Sequence, residues 1–232
     1  MHTVYLPGDP LTGAGTPIRV TGDEAKHATR VKRLEPGERV LIMNGHGVII
    51  TATVEEARRE LILRPVDRTE VPPDSPRIEV WSATPKGDRL STMIEGLAQT
   101  GCAEWVALDT KLGVVEPGEG KIERIARISL EACKQSRRAW LMETGRKATF
   151  DDALRSDQTT PSADIVLLDG AGEPLRRSSA DAVRLLVGPE GGWTADELDR
   201  AKQAGARIVS VGPHVMRIET AAVAGCAVVM CR

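Results

Sequence analysis

The stretch LLVGPEGGWTADE, residues 185–197, holds an apolar run, a Pro-containing turn with three glycines, and a helix start. The run is the end of VRLLVG, 183–188, short and aliphatic as a buried strand should be. Thr194 can cap the helix, and Glu197, three residues on, completes a capping box, while Leu198 and Ala201 open the buried face. Trp193 stands before the cap, where a hydrophobic staple is common, and its ring can also wall a pocket. Strand, tight turn and helix in that order form the repeating unit of a parallel sheet.

Working outward, DIVLLDG (164–170) and RIVSVG (207–212) are strand candidates that also end in glycine. IEVWSA (78–83) precedes a helix with Leu90, Met93, Ile94, Leu97 and Ala98 at 3.6-residue spacing. WVALD (105–109) precedes another, with Ile122, Ile125, Ala126, Ser129, Ala132 and Cys133 on one face. The alternation predicts an α/β domain with a mainly parallel sheet covered on both faces.

VPPDSP, 71–76, concentrates three prolines and marks a boundary, giving expected domains 1–72 and 73–232. The first holds short β runs at 17–20, 39–45, 48–54 and 61–66, with one helix over 23–34. Asn44-Gly45 and Gly47 supply the positive-φ residues of a hairpin, so a small barrel is expected.

With 31 Lys and Arg against 33 Asp and Glu, no bulk positive field draws in nucleic acid, so any RNA contact needs a local patch. Lys26, His27, Arg30, Lys32 and Arg33 form such a cluster on or beside the short helix; it reads either as a solvated face or as a phosphate-contacting patch. The start, MHTVYLPGDP, lacks a signal-peptide pattern, and the longest apolar stretch, 221–230, is too short to span a bilayer. Cys102, Cys133, Cys226 and Cys231 show no C-x-x-C spacing and sit in apolar patterns. The expectation is a cytoplasmic protein with buried free thiols, no metal site and no membrane partner.

Ligands of parallel α/β sheets bind beyond the carboxyl ends of the strands. Three neighbouring strands ending at Gly170, Gly188 and Gly212 could bring bare backbone to one ligand. GPEGGWT lacks the lysine and the spacing of a P-loop, and no G-x-G-x-x-G is present. Glu190 would repel a polyphosphate and favour a positively charged ligand, such as a sulfonium. Glu219 reads as a capping charge at the last helix's N-terminus. Arg217, between Met216 and Ile218, could hold a carboxylate, a phosphate or a developing oxyanion. The apolar helix beyond it should be buried in a core or a subunit interface.

VGPEGGWTADEL with VGPHVMRIETA resembles the C-terminal signature of the RsmE family, and HATRVKRLEPGE (27–38) and LEACKQSRR (130–138) extend the resemblance over both halves. That family comprises SPOUT-class methyltransferases dependent on S-adenosylmethionine that modify N3 of a uridine in small-subunit (16S) ribosomal RNA. The resemblance implies an N-terminal PUA-like β-barrel that helps hold RNA, a C-terminal SPOUT α/β domain with a deep trefoil knot, and a homodimer. S-adenosyl-L-methionine would lie in the knot, against Leu167 and Leu168, the run Val187, Gly188, Pro189, Glu190, Gly191 and Gly192, and Val211, Gly212, Val215, Met216, Arg217 and Thr220. Arg217 and Glu219 are the catalytic candidates; Lys26, Arg30, Lys32, Arg33, Arg137 and Arg138 are the candidate RNA contacts. An assembled small subunit is the expected substrate. Gln99 and Thr100 replace the usual Glu-Leu before Gly101, and Met216 and Ile218 replace a leucine and a threonine. Two other readings keep the scaffold: a methyltransferase for another RNA position, and a non-catalytic RNA-binding assembly factor.

Overall fold

The computed structural model of the protein describes residues 1–9, 16–114, 118–155 and 163–231. Contacts divide the chain into one unit of Met1–Pro73 with Cys133–Leu141, and another of Asp74–Ala132 with Met142–Arg232.

In the first unit, β1 (His2–Tyr5), β2 (Ile18–Val20), β3 (Arg39–Met43), β4 (Val48–Ala57) and β5 (Leu61–Glu70) form one sheet in the order β1-β3-β4-β5-β2. Along β4 buried and half-exposed residues alternate from Val48 to Glu55, the period that one packed face imposes. Val40, Ile42, Ile50, Ala52, Val54, Leu61 and Leu63 are buried in the core beneath it. The β3–β4 hairpin turns through Gly45 and Gly47 at φ of 80° and 91°. The Asn44 carboxamide oxygen accepts from the His46 and Val48 amides at 2.8 and 3.0 Å, which fixes that turn. At Gly47 a Cβ would lie 2.7 Å from the Trp140 ring, so the glycine admits the 133–141 segment. There Trp140 Nε1 donates to the Val71 carbonyl at 2.8 Å.

Two elements differ from expectation. β1, unrecognised in the sequence, pairs in parallel with β3; four residues are too few to show an alternating pattern, and they are held by that long-range partner and by the Tyr5 amide donating to Glu24 at 3.2 Å. The helix expected over 23–34 is α1 (Gly22–Lys26) continued by a π-helical turn, His27–Val31. The wider turn reverses the chain soon enough for Leu34 to pack on the core that Ala25 and Ala28 enter.

The second unit contains β6 (Arg77–Ser82), α2 (Arg89–Thr100), β7 (Glu104–Asp109), α3 (Glu119–Ser136) as far as Ala132, β8 (Glu143–Thr149), α4 (Phe150–Ala153), β9 (Asp164–Pro174), β10 (Ala182–Val187), α5 (Ala195–Gln203), β11 (Arg207–Ser210) and α6 (Ile218–Met230). Its sheet order is β11-β9-β10-β6-β7-β8, and every pairing is parallel. β8 escaped the sequence reading because ETGRKAT is a polar edge strand with a single neighbour. The apolar positions expected on α2 are all buried. On α3, Ala126 is exposed rather than on the inner face, and Cys231, unlike the other three cysteines, is exposed. α6 reaches the sheet at Gly225, where a Cβ would lie 2.9 Å from Leu185, and crosses α2 where Gly96 meets Val223.

The amino-terminal halves of the strands carry a buried charged cluster. Arg184, 1% exposed, donates to Glu79 at 3.2 Å and to the carbonyls of Ala153 and Arg155, while its guanidinium stacks 4.3 Å from the Trp81 ring. Arg146 lies 4.5 Å from the same ring and 3.4 Å from Glu104, whose carboxyl is pushed above its ordinary range by burial. Paired this way, the charges are tolerated inside the sheet.

Candidate functional site

β9, β10 and β11 lie side by side with their carboxyl ends on one edge, and the loops leaving that edge enclose a cavity of about 180 Å³. The first loop is not the turn at Gly170 that the sequence suggests. β9 pairs with β11 through Val166 and Leu167, then again through Glu173 and Pro174, so residues 168–172 bulge out between two stretches of one ladder. Gly170 therefore lies inside β9, and the bulge, not a strand end, presents Leu168, Asp169 and Gly170 to the cavity. Asp169 Oδ1 accepts from the Ala171 amide at 2.8 Å and holds the bulge's shape. The chain can return to β11 only because residue 172 is glycine: a Cβ there would stand 2.5 Å from the Val209 nitrogen.

The second loop follows β10. Trp193 Nε1 donates to the Leu168 carbonyl at 2.9 Å, its ring covers Gly188, and it packs 5.3 Å from Phe150. Any Cβ on Gly188 would meet the indole at 2.9 Å, so that glycine is a packing requirement as well as a cavity wall. The capping box anticipated for α5 is present: Thr194 accepts from the Glu197 amide, and the Glu197 carboxylate returns to the Thr194 amide at 2.8 Å. Trp193 thus serves both packing and pocket.

The third loop, after β11, lines the cavity with Val211, Gly212, His214, Val215 and Met216, and Val215 is fully exposed. Of the cofactor candidates, Leu168, Val187, Gly188, Pro189, Glu190, Gly192, Val211, Gly212, Val215 and Met216 converge on the cavity. Leu167 does not: it is buried in the sheet's core. Gly191 faces Leu112, and Arg217 and Thr220 are exposed residues beside the cavity. Asp169, Trp193, Ser210, Ile218 and Ala221 line it as well; only the tertiary bulge and the start of α6 bring these together.

No lysine or arginine is among the lining residues, whereas Asp169 and Glu190 are. Glu190 also meets Arg89 at 3.6 Å, both half-exposed, so its charge is offset in part. Bare backbone, apolar side chains and a slight acidic balance suit a ligand with an uncharged ring system and a cationic centre better than a phosphate. Arg217 is the N-cap of α6, and Glu219 lies in the first turn. One Glu219 carboxylate oxygen is buried without a hydrogen-bond partner among the described residues.

The basic candidates occupy the other unit. Lys26, Arg30, Lys32 and Arg33 are all exposed, and Lys26 pairs with its neighbour Asp23 at 2.9 Å. Arg137 and Arg138, a hundred residues on, fall in the same unit, and the adjacent Lys134, 5% exposed, meets Glu24 of α1 at 2.8 Å. Arg33 and Arg137 adopt φ of 53° and 57°, a left-handed geometry uncommon for arginine. His2, whose ring lies 5.7 Å from that of His27, is held down to a pKa of about 4 by burial and by Lys134, His27 and Lys32.

Comparison with known proteins gives a consistent picture. A family described as an RNA methyltransferase domain matches residues 73–230, and one described as an RNA methyltransferase PUA domain matches residues 20–66. The ribosomal RNA small subunit methyltransferase E of Mycobacterium bovis is 33% identical over 225 residues, 92% of this chain and 86% of its own length. A methyltransferase from Legionella pneumophila, solved with the bound cofactor SAM, superposes with a TM-score of 0.81 at 26% identity, covering 97% of this chain and 95% of that one. The fold is also that of a ribosomal RNA small subunit methyltransferase E from Neisseria gonorrhoeae, with a TM-score of 0.86 at 24% identity over 98% of this chain and 95% of that one.

Proposed function

This chain belongs to the RNA methyltransferase family with an N-terminal PUA-like domain, and from that premise we propose that it methylates N3 of a uridine in small-subunit (16S) ribosomal RNA. The methyl donor is S-adenosylmethionine. The observation that carries the reading is the cavity at the carboxyl ends of β9, β10 and β11, lined by bare glycines and two carboxylates without a cation.

The residues present fit that cofactor. Gly170 and Gly192, with nothing within 4 Å of a would-be Cβ, let a planar base approach the backbone, Met216 and Val215 offer apolar contact, and Asp169 and Glu190 tolerate a sulfonium. When bound, the cofactor supplies an electrophilic methyl group, and the protein's contribution is chiefly alignment of N3 with it. N3 carries a proton that must leave, and the resulting negative charge spreads onto the neighbouring carbonyl oxygens. Arg217, exposed at the α6 N-terminus, is the cation for that charge. Glu219, in the first turn of the same helix and with one carboxylate oxygen that has no hydrogen-bond partner among the described residues, is the candidate proton acceptor.

We assign residues 1–72, together with the 133–141 segment that belongs to the same unit, to RNA binding and the rest of 73–232 to catalysis, with Lys26, Arg30, Lys32, Arg33, Arg137 and Arg138 contacting phosphates. The bulged β9 and the loop after β11 are the segments that a trefoil knot of the SPOUT type would thread. A homodimer is supported by α6, apolar nearly all round yet buried on only one side within the chain. No described helix is long and apolar enough to cross a membrane; the substrate proposed, an assembled small subunit, places the action in the cytoplasm.

The test is methylation of small subunits and of naked RNA that lack the modification, with the product nucleoside identified by mass spectrometry and mapped. The proposal expects N3-methyluridine at one position, more efficiently in assembled subunits. A methyl group on ribose or on another base would overturn it. Arg217→Ala should lower turnover strongly while S-adenosylmethionine still binds.

A further inference from the structure

A second cavity, about 450 Å³, opens at the carboxyl ends of β6, β7 and β8, on the same edge of the parallel sheet as the first. No motif in the sequence points to it. Its floor is Ala107, Leu108 and Ala148, and its rim carries Asp109 and Lys147, both exposed and neither in an ion pair with another described residue. Thr110 on its wall is 6% exposed, and its hydroxyl has no hydrogen-bond partner among the described residues.

The wall is tied to the first site. The Lys111 amide donates to Glu197 Oε1 at 3.1 Å, and Leu112 packs on Gly191, within the loop that lines the first cavity. A substrate seated across this edge of the sheet would meet both cavities.

The chemistry of the lining narrows the occupant. Asp109 and Asp152 disfavour a polyphosphate, no group of three metal-ligating side chains occurs among the described residues, and the polar rim disfavours a purely apolar ligand. What remains is a ligand with an apolar face for the floor and both donors and acceptors for the rim, and the volume lies in the range of small-molecule sites. RNA offers that ligand as an unstacked nucleoside.

We propose that this second cavity is a subsite for an unpaired nucleoside of the RNA substrate other than the one methylated, with Asp109 accepting from a base N–H and Lys147 donating to a base carbonyl or the adjoining phosphodiester. The proposal rests on the RNA methyltransferase reading above. The subsite selects the substrate by requiring a second nucleotide to leave its stack, so it bears on recognition and not on the methyl-transfer step.

Lys147→Met and Asp109→Asn test it in the full-length protein, and the exposure of both residues keeps the fold out of the result. Each should raise KM for the small subunit about tenfold, the loss of one charged hydrogen bond, with kcat and S-adenosylmethionine affinity unchanged. A second arm titrates the four nucleoside 5′-monophosphates into the protein saturated with S-adenosylmethionine and follows backbone amide resonances. Shifts at Thr110, Gly113 and Ala148, abolished by the variants, support the subsite. An active wild-type enzyme whose variants keep the wild-type KM, or a titration that moves none of these amides, overturns it. If the wild type transferred no methyl group to any RNA, the function proposed above would fall instead, and the titration would still decide whether the cavity binds a nucleoside.

Discussion

Replacing Gly172 by alanine tests the geometry on which the cofactor site depends. A Cβ at this position would lie 2.5 Å from the Val209 nitrogen, 2.6 Å from its Cα and 2.7 Å from the Ile208 carbonyl carbon. Ordinary contact begins near 3.4 Å, so two backbones must separate by nearly 1 Å, and neither is the yielding end of a side chain. Overpacking of this kind costs about 3 kcal/mol, which for a unit of this size lowers the melting temperature by roughly 6–12 °C. Separation would also break the pairing of Val209 with Glu173 and of Ser210 with Pro174 that closes the 168–172 bulge, and S-adenosylmethionine affinity should fall with it. Tryptophan fluorescence is a suitable probe, because Trp81, Trp105 and Trp193 are all in the unit concerned. Gly170→Ala is the internal control: nothing lies within 4 Å of its would-be Cβ, so the melting temperature should stay at the wild-type value. A Gly172→Ala protein that melts within about one degree of wild type and binds the cofactor equally well would refute the close approach of β9 and β11.

Other outcomes follow from the same contacts. Arg184→Met removes the 3.2 Å partner of Glu79 while the Trp81 indole at 3.1 Å and Arg77 at 3.7 Å remain, and should cost about 3 kcal/mol in urea unfolding, with part regained in a double variant that adds Glu79→Gln. His2 titrates near 6.5 unfolded but about 4 folded, so its contribution is present above pH 6.5 and lost as pH falls through 4; His2→Gln should flatten stability against pH across that window. Thr194→Ala removes one half of the α5 capping box and should cost about 1 kcal/mol by thermal unfolding, without a large change in cofactor affinity. Removing Lys32 and Arg33 together should weaken RNA binding and lower the slope of log affinity against log salt by about 2, whereas a change in melting temperature alone would mark the patch as a solvated face.

Local signals carried much of the architecture. The capping box at Thr194 and Glu197, the hairpin at Asn44 to Gly47 and the 3.6-residue face of α2 act between near neighbours, so the amino-acid order alone determines them. The two C-terminal motifs likewise located most of the cavity lining. Other features required distant partners. β1 and β8 have weak patterns of their own and become strands through β3 and β7. The bulge of β9 exists because β11 pairs with it twice, and the second cavity because three strand ends meet a loop held by Glu197. The grouping of Arg137 and Arg138 with Lys26 to Arg33 was equally invisible, since it depends on Lys134 meeting Glu24 across 110 residues. Sequence determines a strand, turn or helix when the stabilising contacts lie within a few residues; the sites are made by contacts spanning tens to a hundred residues, which only the folded chain brings within reach.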